Sequence, residues 1–168
     1  MKYISRYSSP LGNILLASDG SALTGLWFEG QRRYAAGLSP EASERGLGIF
    51  DAARHWLDLY FEGRDPGPAP RVFVDGGDYD LAVWQALREI PYGGTVTYGR
   101  IARQAADRLV LESMSPRAAG QAVGRNPVSI IIPCHRVIKS DGSPGGYAAG
   151  TRIKETLLKL EAGERAAK

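Results

Sequence analysis

The chain has 168 residues, 43% of them hydrophobic, which is enough to pack one generous domain or two small ones and excludes a mostly disordered protein. No apolar run reaches the roughly 18 residues that a membrane span requires, and the first residues lack the apolar segment of a secretory signal. We therefore expect a cytoplasmic protein with no membrane partner. The single cysteine excludes an internal disulfide, and no cluster of cysteines and histidines has the spacing of a zinc site, so we expect neither a metal nor another cofactor.

The net charge of +3 is unevenly distributed along the chain. Residues 1–97 contain 9 Lys and Arg against 12 Asp and Glu, a net charge of −3, whereas residues 98–168 contain 12 against 6, a net charge of +6. A basic second half favours a polyanionic partner such as nucleic acid, although excess charge also serves solubility.

The first part of the chain predicts a small antiparallel sheet followed by a helix. Three segments rich in β-formers, at residues 2–8, 13–18 and 22–28, are separated by turn sequences. Apolar residues then recur at helical spacing from Phe50 to Phe61, which makes His55 a surface or packing residue rather than a ligand. A linker rich in proline and glycine at about 63–77 divides the chain into lobes that we expect at residues 1–75 and 78–168.

The second lobe predicts mainly helices. A helix over about 79–90 should bury Leu81, Trp84 and Leu87. Thr97 is a good N-cap for a helix from Tyr98 to about Ala106, and a last helix is predicted from Thr151 to about Glu161. The loop between residues 139 and 147 is rich in glycine but lacks the Lys-Ser/Thr ending of a phosphate-binding loop, which excludes nucleoside triphosphate binding of that type.

A helix-turn-helix is the candidate DNA-binding element. Ser115 and Pro116 have the residue types of a helix start, and Gly124 suits the C-terminal stop. This helix would follow the one that Thr97 caps, and its small side chains would let its backbone approach a DNA groove with Arg117 near its start. The same small residues would also permit close packing inside a protein, so the pattern leaves both readings open.

The run from Ile130 to Val137 is the candidate reactive site. Its three isoleucines predict a buried strand that Pro133 ends, which would place Cys134 and His135 at an accessible strand end. Cys134 could also be a small buried hydrophobe without chemistry. As a nucleophile it must become a thiolate, and His135 could take its proton through a water, because adjacent residues of an extended chain point to opposite sides.

Two further residues could support this site. A carboxylate in the final turn of a helix is opposed by the helix dipole, so Glu161 is either solvated or has a specific partner, such as the imidazole of a nucleophile–base–acid triad. Asn126 could hold the turn around the cysteine in shape, or it could be an ordinary turn residue.

Taken together, these residues resemble the methylated-DNA–protein-cysteine methyltransferases, the O6-alkylguanine-DNA alkyltransferases. The resemblance is strong over residues 78–163 and rests on Thr97-Tyr98-Gly99-Arg100-Ile101-Ala102, Asn126-Pro127, Ile130-Ile131-Ile132-Pro133-Cys134-His135-Arg136-Val137 and Gly146-Tyr147. It implies an α+β fold, in which a small N-terminal antiparallel β lobe with a helix precedes a mostly helical lobe that contains the helix-turn-helix and the active-site cysteine turn.

The function that this resemblance implies is DNA repair without a cofactor. A monomer would flip O6-alkylguanine out of double-stranded DNA and transfer the alkyl group to Cys134, and O4-alkylthymine is a second candidate lesion. We expect one turnover per molecule, since a thioether is not reversed by thiol exchange and no second cysteine exists. Cooperative binding along DNA stays open. One alternative is a protein that binds the lesion without reacting, but relatives of that kind lack the cysteine, so Cys134 argues against it. The other alternative is a helix-turn-helix regulator.

The resemblance also implies roles for individual residues. The catalytic group would be Cys134, His135, Glu161, Asn126 and Tyr98, and Tyr98 would also crowd the target phosphate. A proton donor near the base would ease departure of the guanine anion, and Tyr98 is the candidate for that donor. Arg117 would replace the extruded base in the stack. Further DNA contacts would come from Ala118, Gln121, Val123 and Arg125, and the base pocket from Pro133, Val137, Tyr147 and Ala148. The stretch from Tyr98 to Arg117 is about five residues longer than the family pattern, which indicates a longer first helix or a protruding loop.

Overall fold

The computed structural model describes residues 1–163 and begins with a four-stranded sheet in the order β3-β2-β1-β4. Strands β1 (Tyr3–Ser9), β2 (Gly12–Ser18) and β3 (Leu23–Phe28) form the predicted antiparallel meander. The polar stretch that follows contributes a two-residue strand that was not predicted, β4 (Ser43–Glu44), which pairs parallel with β1.

Both faces of the sheet are buried. On one face, Ile14, Leu16, Leu26 and Phe28 join the main core. On the other, a smaller cluster forms around Leu15, Ala17 and Trp27. Gly25 is required there, because a Cβ at that position would come within 2.1 Å of the Trp27 ring. Strands covered on both faces are expected to be apolar throughout, and every residue of β3 is buried.

Helix α1 (Gly48–Phe61) covers the main-core face of the sheet and confirms the predicted helical spacing. It buries Phe50, Ala53, Trp56, Leu57 and Tyr60 and leaves His55 exposed. The following segment, up to residue 77, contains no helix but is tied to the sheet. The Leu23 amide donates to the Arg71 carbonyl at 2.8 Å, and the Phe73 amide donates to the Leu23 carbonyl at 2.9 Å.

Helix α2 (Asp78–Arg88) packs against the two helices that follow it, and its buried face differs from the prediction. Trp84 and Leu87 are buried as expected, but Leu81 is 37% exposed and the inward face is completed by Ala82, Val83 and Ala86. Small residues face inward because they let the neighbouring helices approach closely. The predicted burial of Leu81 is therefore wrong.

Helices α3 (Tyr98–Leu109) and α4 (Pro116–Gly124) form the predicted helix-turn-helix. Thr97 Oγ1 accepts from the Arg100 amide at 3.2 Å and Ser115 Oγ accepts from the Ala118 amide at 3.0 Å, so both predicted N-caps are confirmed. The additional residues lengthen α3 past Ala106 and leave Val110, at a left-handed φ of 55°, 92% exposed in the turn.

The isoleucine run is buried, but the predicted strand is wrong. Residues 129–132 form a turn in which Ile130 has a φ of 69°, and only Val128 just before it makes a single β-bridge, to Leu26. The Asn126 side chain closes this turn, because its Nδ2 donates to the Ile132 carbonyl at 2.8 Å and its Oδ1 accepts from the Val128 amide at 3.0 Å. These two bonds bend the chain where a strand would have to run straight.

The remaining elements complete the second lobe and join it to the first. A 3-10 helix at Cys134–Arg136 leads into β6 (Val137–Ile138), which pairs parallel with β5 (Val96–Thr97), and α5 (Thr151–Glu161) ends the described chain. One continuous core of apolar side chains extends through both lobes. Within residues 1–163, no helix has both the length and the apolar character needed to cross a bilayer.

Candidate active site

Cys134 lies at the start of the 3-10 helix, directly after the turn that Asn126 closes, and is 5% exposed. It lines a cavity of about 330 Å³ whose walls come from α4, the glycine-rich loop and the N-terminal lobe. The other lining residues are Arg32, Tyr98, Pro116, Gly120, Val123, Gly124, Asn126, Ser129, Lys139, Gly145, Gly146, Tyr147 and Ala148. A single thiol in a concave, mainly apolar cavity is the arrangement expected of a ligand site with a nucleophile.

The thiol of Cys134 needs a base. Burial raises its pKa, and the neighbouring Asn126 amide and Lys154 ammonium only partly oppose this rise. The reactive form of cysteine is the thiolate, so a group that accepts the proton must act before the sulfur can react.

His135 has the properties of that base. Its side chain is fully buried, and burial lowers the pKa of the imidazole below its usual value, which keeps the ring neutral. Nε2 faces Glu161 Oε2, so this nitrogen is the protonated one and donates a hydrogen bond to the carboxylate. Nδ1 is the acceptor, and it is buried with no hydrogen-bond partner among residues 1–163.

Glu161 has specific partners rather than solvent. Its carboxylate accepts from His135 Nε2, from Tyr60 Oη at 2.9 Å, from Arg136 Nε at 2.6 Å and from the Gly93 amide at 3.2 Å. Burial alone raises the pKa of a carboxyl group, but the His135 hydrogen bond and the positive charge nearby outweigh it and lower the pKa of Glu161 to about 2. Since His135 is neutral, Arg136 supplies the lasting positive charge.

Lys154 is a buried cation that the sequence prediction missed. Its Nζ donates to the Val137 carbonyl at 2.6 Å and to the Gly146 carbonyl at 3.2 Å, and so connects the two sides of the glycine-rich loop. Burial lowers the pKa of this ammonium group to about 8. The spacing could have revealed it, because Lys154 precedes Leu157 by three residues and Glu161 by seven and therefore lies on the same inward face of α5.

Tyr98 stands beside the cavity at the start of α3, where the pairing of β5 with β6 places it close to the cysteine turn. Its hydroxyl lies 3.4 Å from Lys154 Nζ. Gly145 has a φ of +76° and packs on the tyrosine ring so closely that a Cβ would come within 3.0 Å of the hydroxyl oxygen. The glycine at this position therefore allows the ring to stand where it does.

The predicted DNA-contact residues divide into three groups. Arg117, Ala118 and Gln121 lie at least partly exposed on α4, and Val123 faces the cavity. Arg125 differs, because its guanidinium forms a bidentate ion pair with Asp80 at 2.7 to 3.1 Å. It therefore connects α4 to α2, and that guanidinium is already engaged within the protein.

The predicted base-pocket residues also divide. Tyr147 and Ala148 line the cavity, whereas Pro133 and Val137 are buried behind it. Val137 contributes its backbone carbonyl to Lys154 instead of a wall to the pocket.

The N-terminal lobe supplies two residues to the site that the sequence prediction did not include. The hydroxyl of Tyr60, from α1, reaches Glu161 across 101 positions of sequence. Arg32 is exposed and lines the cavity, and its backbone amide donates to the Ala148 carbonyl at 3.1 Å. Neither carries a local sequence signal, since Tyr60 matches the helical pattern as a core residue and Arg32 belongs to an ordinary polar turn.

Two family models match this chain. The model for the DNA binding domain of 6-O-methylguanine DNA methyltransferase matches residues 78–163, and the model for its ribonuclease-like domain matches residues 2–66.

Curated relatives and solved structures agree with these models. The methylated-DNA–protein-cysteine methyltransferase of Methanosarcina acetivorans is 39% identical over 95% of this chain and 97% of its own length, and that of Mycobacterium leprae is 42% identical over 91% and 88%. The crystal structure of Mycobacterium tuberculosis OGT in complex with DNA is similar at a TM-score of 0.83 and 36% identity, covering 98% of this chain and 96% of that one.

Proposed function

This chain belongs to the 6-O-methylguanine DNA methyltransferase family, and from that premise we propose that it repairs double-stranded DNA by moving the alkyl group of O6-alkylguanine onto Cys134. One observation supports the proposal most directly. The thiol lines a cavity, the neutral imidazole of His135 leaves Nδ1 as a proton acceptor, and an ionised Glu161 holds the other nitrogen. This is the nucleophile, base and orienting acid of a triad.

The first step is proton transfer. Cys134 loses its proton through a water to His135 Nδ1, and the imidazolium that forms is stabilised by the carboxylate of Glu161. A water between the two side chains fits the geometry, because His135 Nδ1 has no hydrogen-bond partner among residues 1–163. The ammonium group of Lys154 acts to lower the pKa of Cys134 and so favours the thiolate that forms.

The second step is alkyl transfer. The thiolate attacks the alkyl carbon in line, a carbon–sulfur bond forms, and the carbon–O6 bond breaks with its electron pair leaving on the guanine. Burial and the charge of Cys134 raise the pKa of Tyr98, so its hydroxyl keeps its proton while the thiolate forms. It can then donate that proton to the departing guanine and regain one from solvent. The product is a thioether on the only cysteine, which limits the protein to one turnover.

The substrate base must leave the duplex to reach this site. Cys134 is almost completely buried, so a stacked base cannot meet it, and flipping costs a few kcal/mol. In our proposal α4 lies against the DNA, Arg117 enters the space of the extruded base, and the partly exposed Ala118 and the exposed Gln121 contact the groove. Arg32 and Lys139, which are exposed and line the cavity, bind phosphates.

The same proposal covers the organisation of the chain. We assign residues 78–168 to the DNA-binding and alkyl-transfer lobe, of which residues 164–168 lie outside the described part of the chain, and residues 1–75 to the supporting lobe. In this proposal the protein acts on double-stranded DNA as a monomer in the cytoplasm. Cooperative binding along DNA is a further outcome to be measured by titration on duplexes of increasing length.

The experiment that tests the proposal is a mass measurement. Incubation with a duplex that contains O6-methylguanine should add one methylene group to the peptide with Cys134 and to no other peptide. An unmodified duplex and the variant Cys134→Ala are the controls. If the duplex binds while the peptide keeps its mass, the protein recognises the lesion without repairing it and the proposal fails.

A further inference from the structure

Tyr60 belongs to the N-terminal lobe, yet its hydroxyl lies inside the proton relay. Tyr60 Oη donates to Glu161 Oε2 at 2.9 Å and lies 3.4 Å from His135 Nε2. It therefore shares one carboxylate oxygen with the imidazole. The tyrosine is fully buried, so no solvent competes for this contact.

The ring of Tyr60 is held on several sides. It stacks on Trp56 with centroids 5.6 Å apart and an interplanar angle of 8°, and it meets the rings of His135 and Tyr92 edge to face. Packing alone would be satisfied by phenylalanine. A buried hydroxyl without a partner is unfavourable, so the position of this one, directed at Glu161, indicates a polar role.

We infer that Tyr60 is a positioning residue for alkyl transfer, whose hydroxyl fixes the Glu161 carboxylate and keeps His135 oriented as a neutral base. The inference rests on the function proposed above. It gives the N-terminal lobe a direct part in the reaction through α1. Tyr60 touches neither the substrate nor the sulfur in this scheme, and it acts through Glu161.

The sign of the effect on His135 follows from the shared oxygen. The charged or titratable groups around the imidazole are Glu161 from α5, Tyr60 from α1, Arg136 from the 3-10 helix and Lys154 from α5. Glu161 favours the imidazolium, whereas burial, Arg136 and Lys154 oppose it. A donor on Oε2 neutralises part of the carboxylate charge, so removing that donor strengthens the pull of Glu161 on a proton at His135.

The variant Tyr60→Phe tests the inference, with Tyr92→Phe as its matched control. Both remove one hydroxyl from the same aromatic cluster and keep the ring, but the Tyr92 hydroxyl is buried with no hydrogen-bond partner among residues 1–163. The measurement is the rate constant of reaction with free O6-benzylguanine as a function of pH, which requires no DNA. Circular dichroism and thermal unfolding establish that both variants are folded.

We expect Tyr60→Phe to lower the plateau rate constant about 10-fold, because the base loses its fixed orientation. The acid limb of the profile should move to higher pH, since His135 then holds its proton longer. Tyr92→Phe should match the wild type in both respects. In a Glu161→Gln background, Tyr60→Phe should have no further effect on the acid limb, because its route of action is gone.

The inference is wrong if folded Tyr60→Phe reacts with the plateau and acid limb of the wild type. It is also wrong if both tyrosine variants change the profile equally, because the effect would then be one of packing. These outcomes differ from a failure of the proposed function, in which the wild-type protein itself does not alkylate Cys134.

Discussion

Asn126 Nδ2 lies 2.8 Å from the carbonyl oxygen of Ile132 and closes the turn from which Cys134 emerges. The same side chain accepts from the Val128 amide at 3.0 Å. One amide side chain thus binds the chain on both sides of a bend that contains a residue at positive φ, Ile130. The position of the thiol depends on this pair of bonds.

Asn126→Leu should therefore impair both stability and reaction. The variant keeps the size of the side chain but leaves the Val128 amide without its partner, at a cost of about 1–3 kcal/mol. It also removes one of the two donors to the Ile132 carbonyl, which still accepts from the Cys134 amide at 2.8 Å. We expect a lower free energy of unfolding in urea and a rate constant with free O6-benzylguanine reduced about 100-fold. Asn13→Ala, which removes an exposed hydrogen bond to Glu29, is the control. Equal behaviour of the two variants would contradict the role of Asn126.

Glu161→Gln should change how stability depends on pH. The pKa of Glu161 is lowered from 4.5 to about 2, so its contribution is complete above pH 4.5 and is lost as the pH falls toward 2. A shift of this size corresponds to about 3 kcal/mol. The wild type should be more stable than the variant at pH 7, and the difference should shrink between about pH 4.5 and 2. Urea unfolding at several pH values measures it, and a constant difference would show that the carboxylate is not the responsible group.

Arg117→Ala should separate base flipping from chemistry. The side chain is exposed on α4 and makes no hydrogen bond or ion pair with Cys134, His135 or Glu161, so the reaction with free O6-benzylguanine should stay as in the wild type. Repair of a duplex should fall much further, because the flipped state loses the group that replaces the base in the stack. Single-turnover rates on both substrates test this. Equal losses on the two substrates would contradict the intercalating role.

Arg32→Gln should reduce the electrostatic part of DNA binding, with Arg33→Gln as its matched control. Arg32 lines the active-site cavity and has no salt bridge among residues 1–163, whereas Arg33 lines a different cavity. The loss of one phosphate contact should make the negative slope of log affinity against log salt concentration shallower by about 0.9. Fluorescence anisotropy with a labelled duplex measures the slope. Identical slopes for the two variants would place the phosphate elsewhere.

The sequence was sufficient for elements whose signals are local. Segments of β-forming residues between turn sequences located the meander, and the period-3.6 pattern located α1. The caps at Thr97 and Ser115 located the helix-turn-helix, and each of these signals depends on residues close together in the sequence. The strand predicted at the isoleucines failed for the opposite reason. β-Branched residues favour extended chain, but the Asn126 side chain bends this segment through contacts that a propensity does not contain.

By itself, the sequence named one candidate nucleophile, since it contains a single cysteine, and the motif around that cysteine indicated the family and the reaction. Only the tertiary structure decided which groups from distant parts of the chain surround that cysteine and its neighbours. It brought Tyr60, Arg136 and the Gly93 amide to a single carboxylate from separate parts of the chain, and it engaged Arg125 with Asp80. The physical reason is that a buried charge must be matched by donors in three dimensions, wherever along the chain those donors lie.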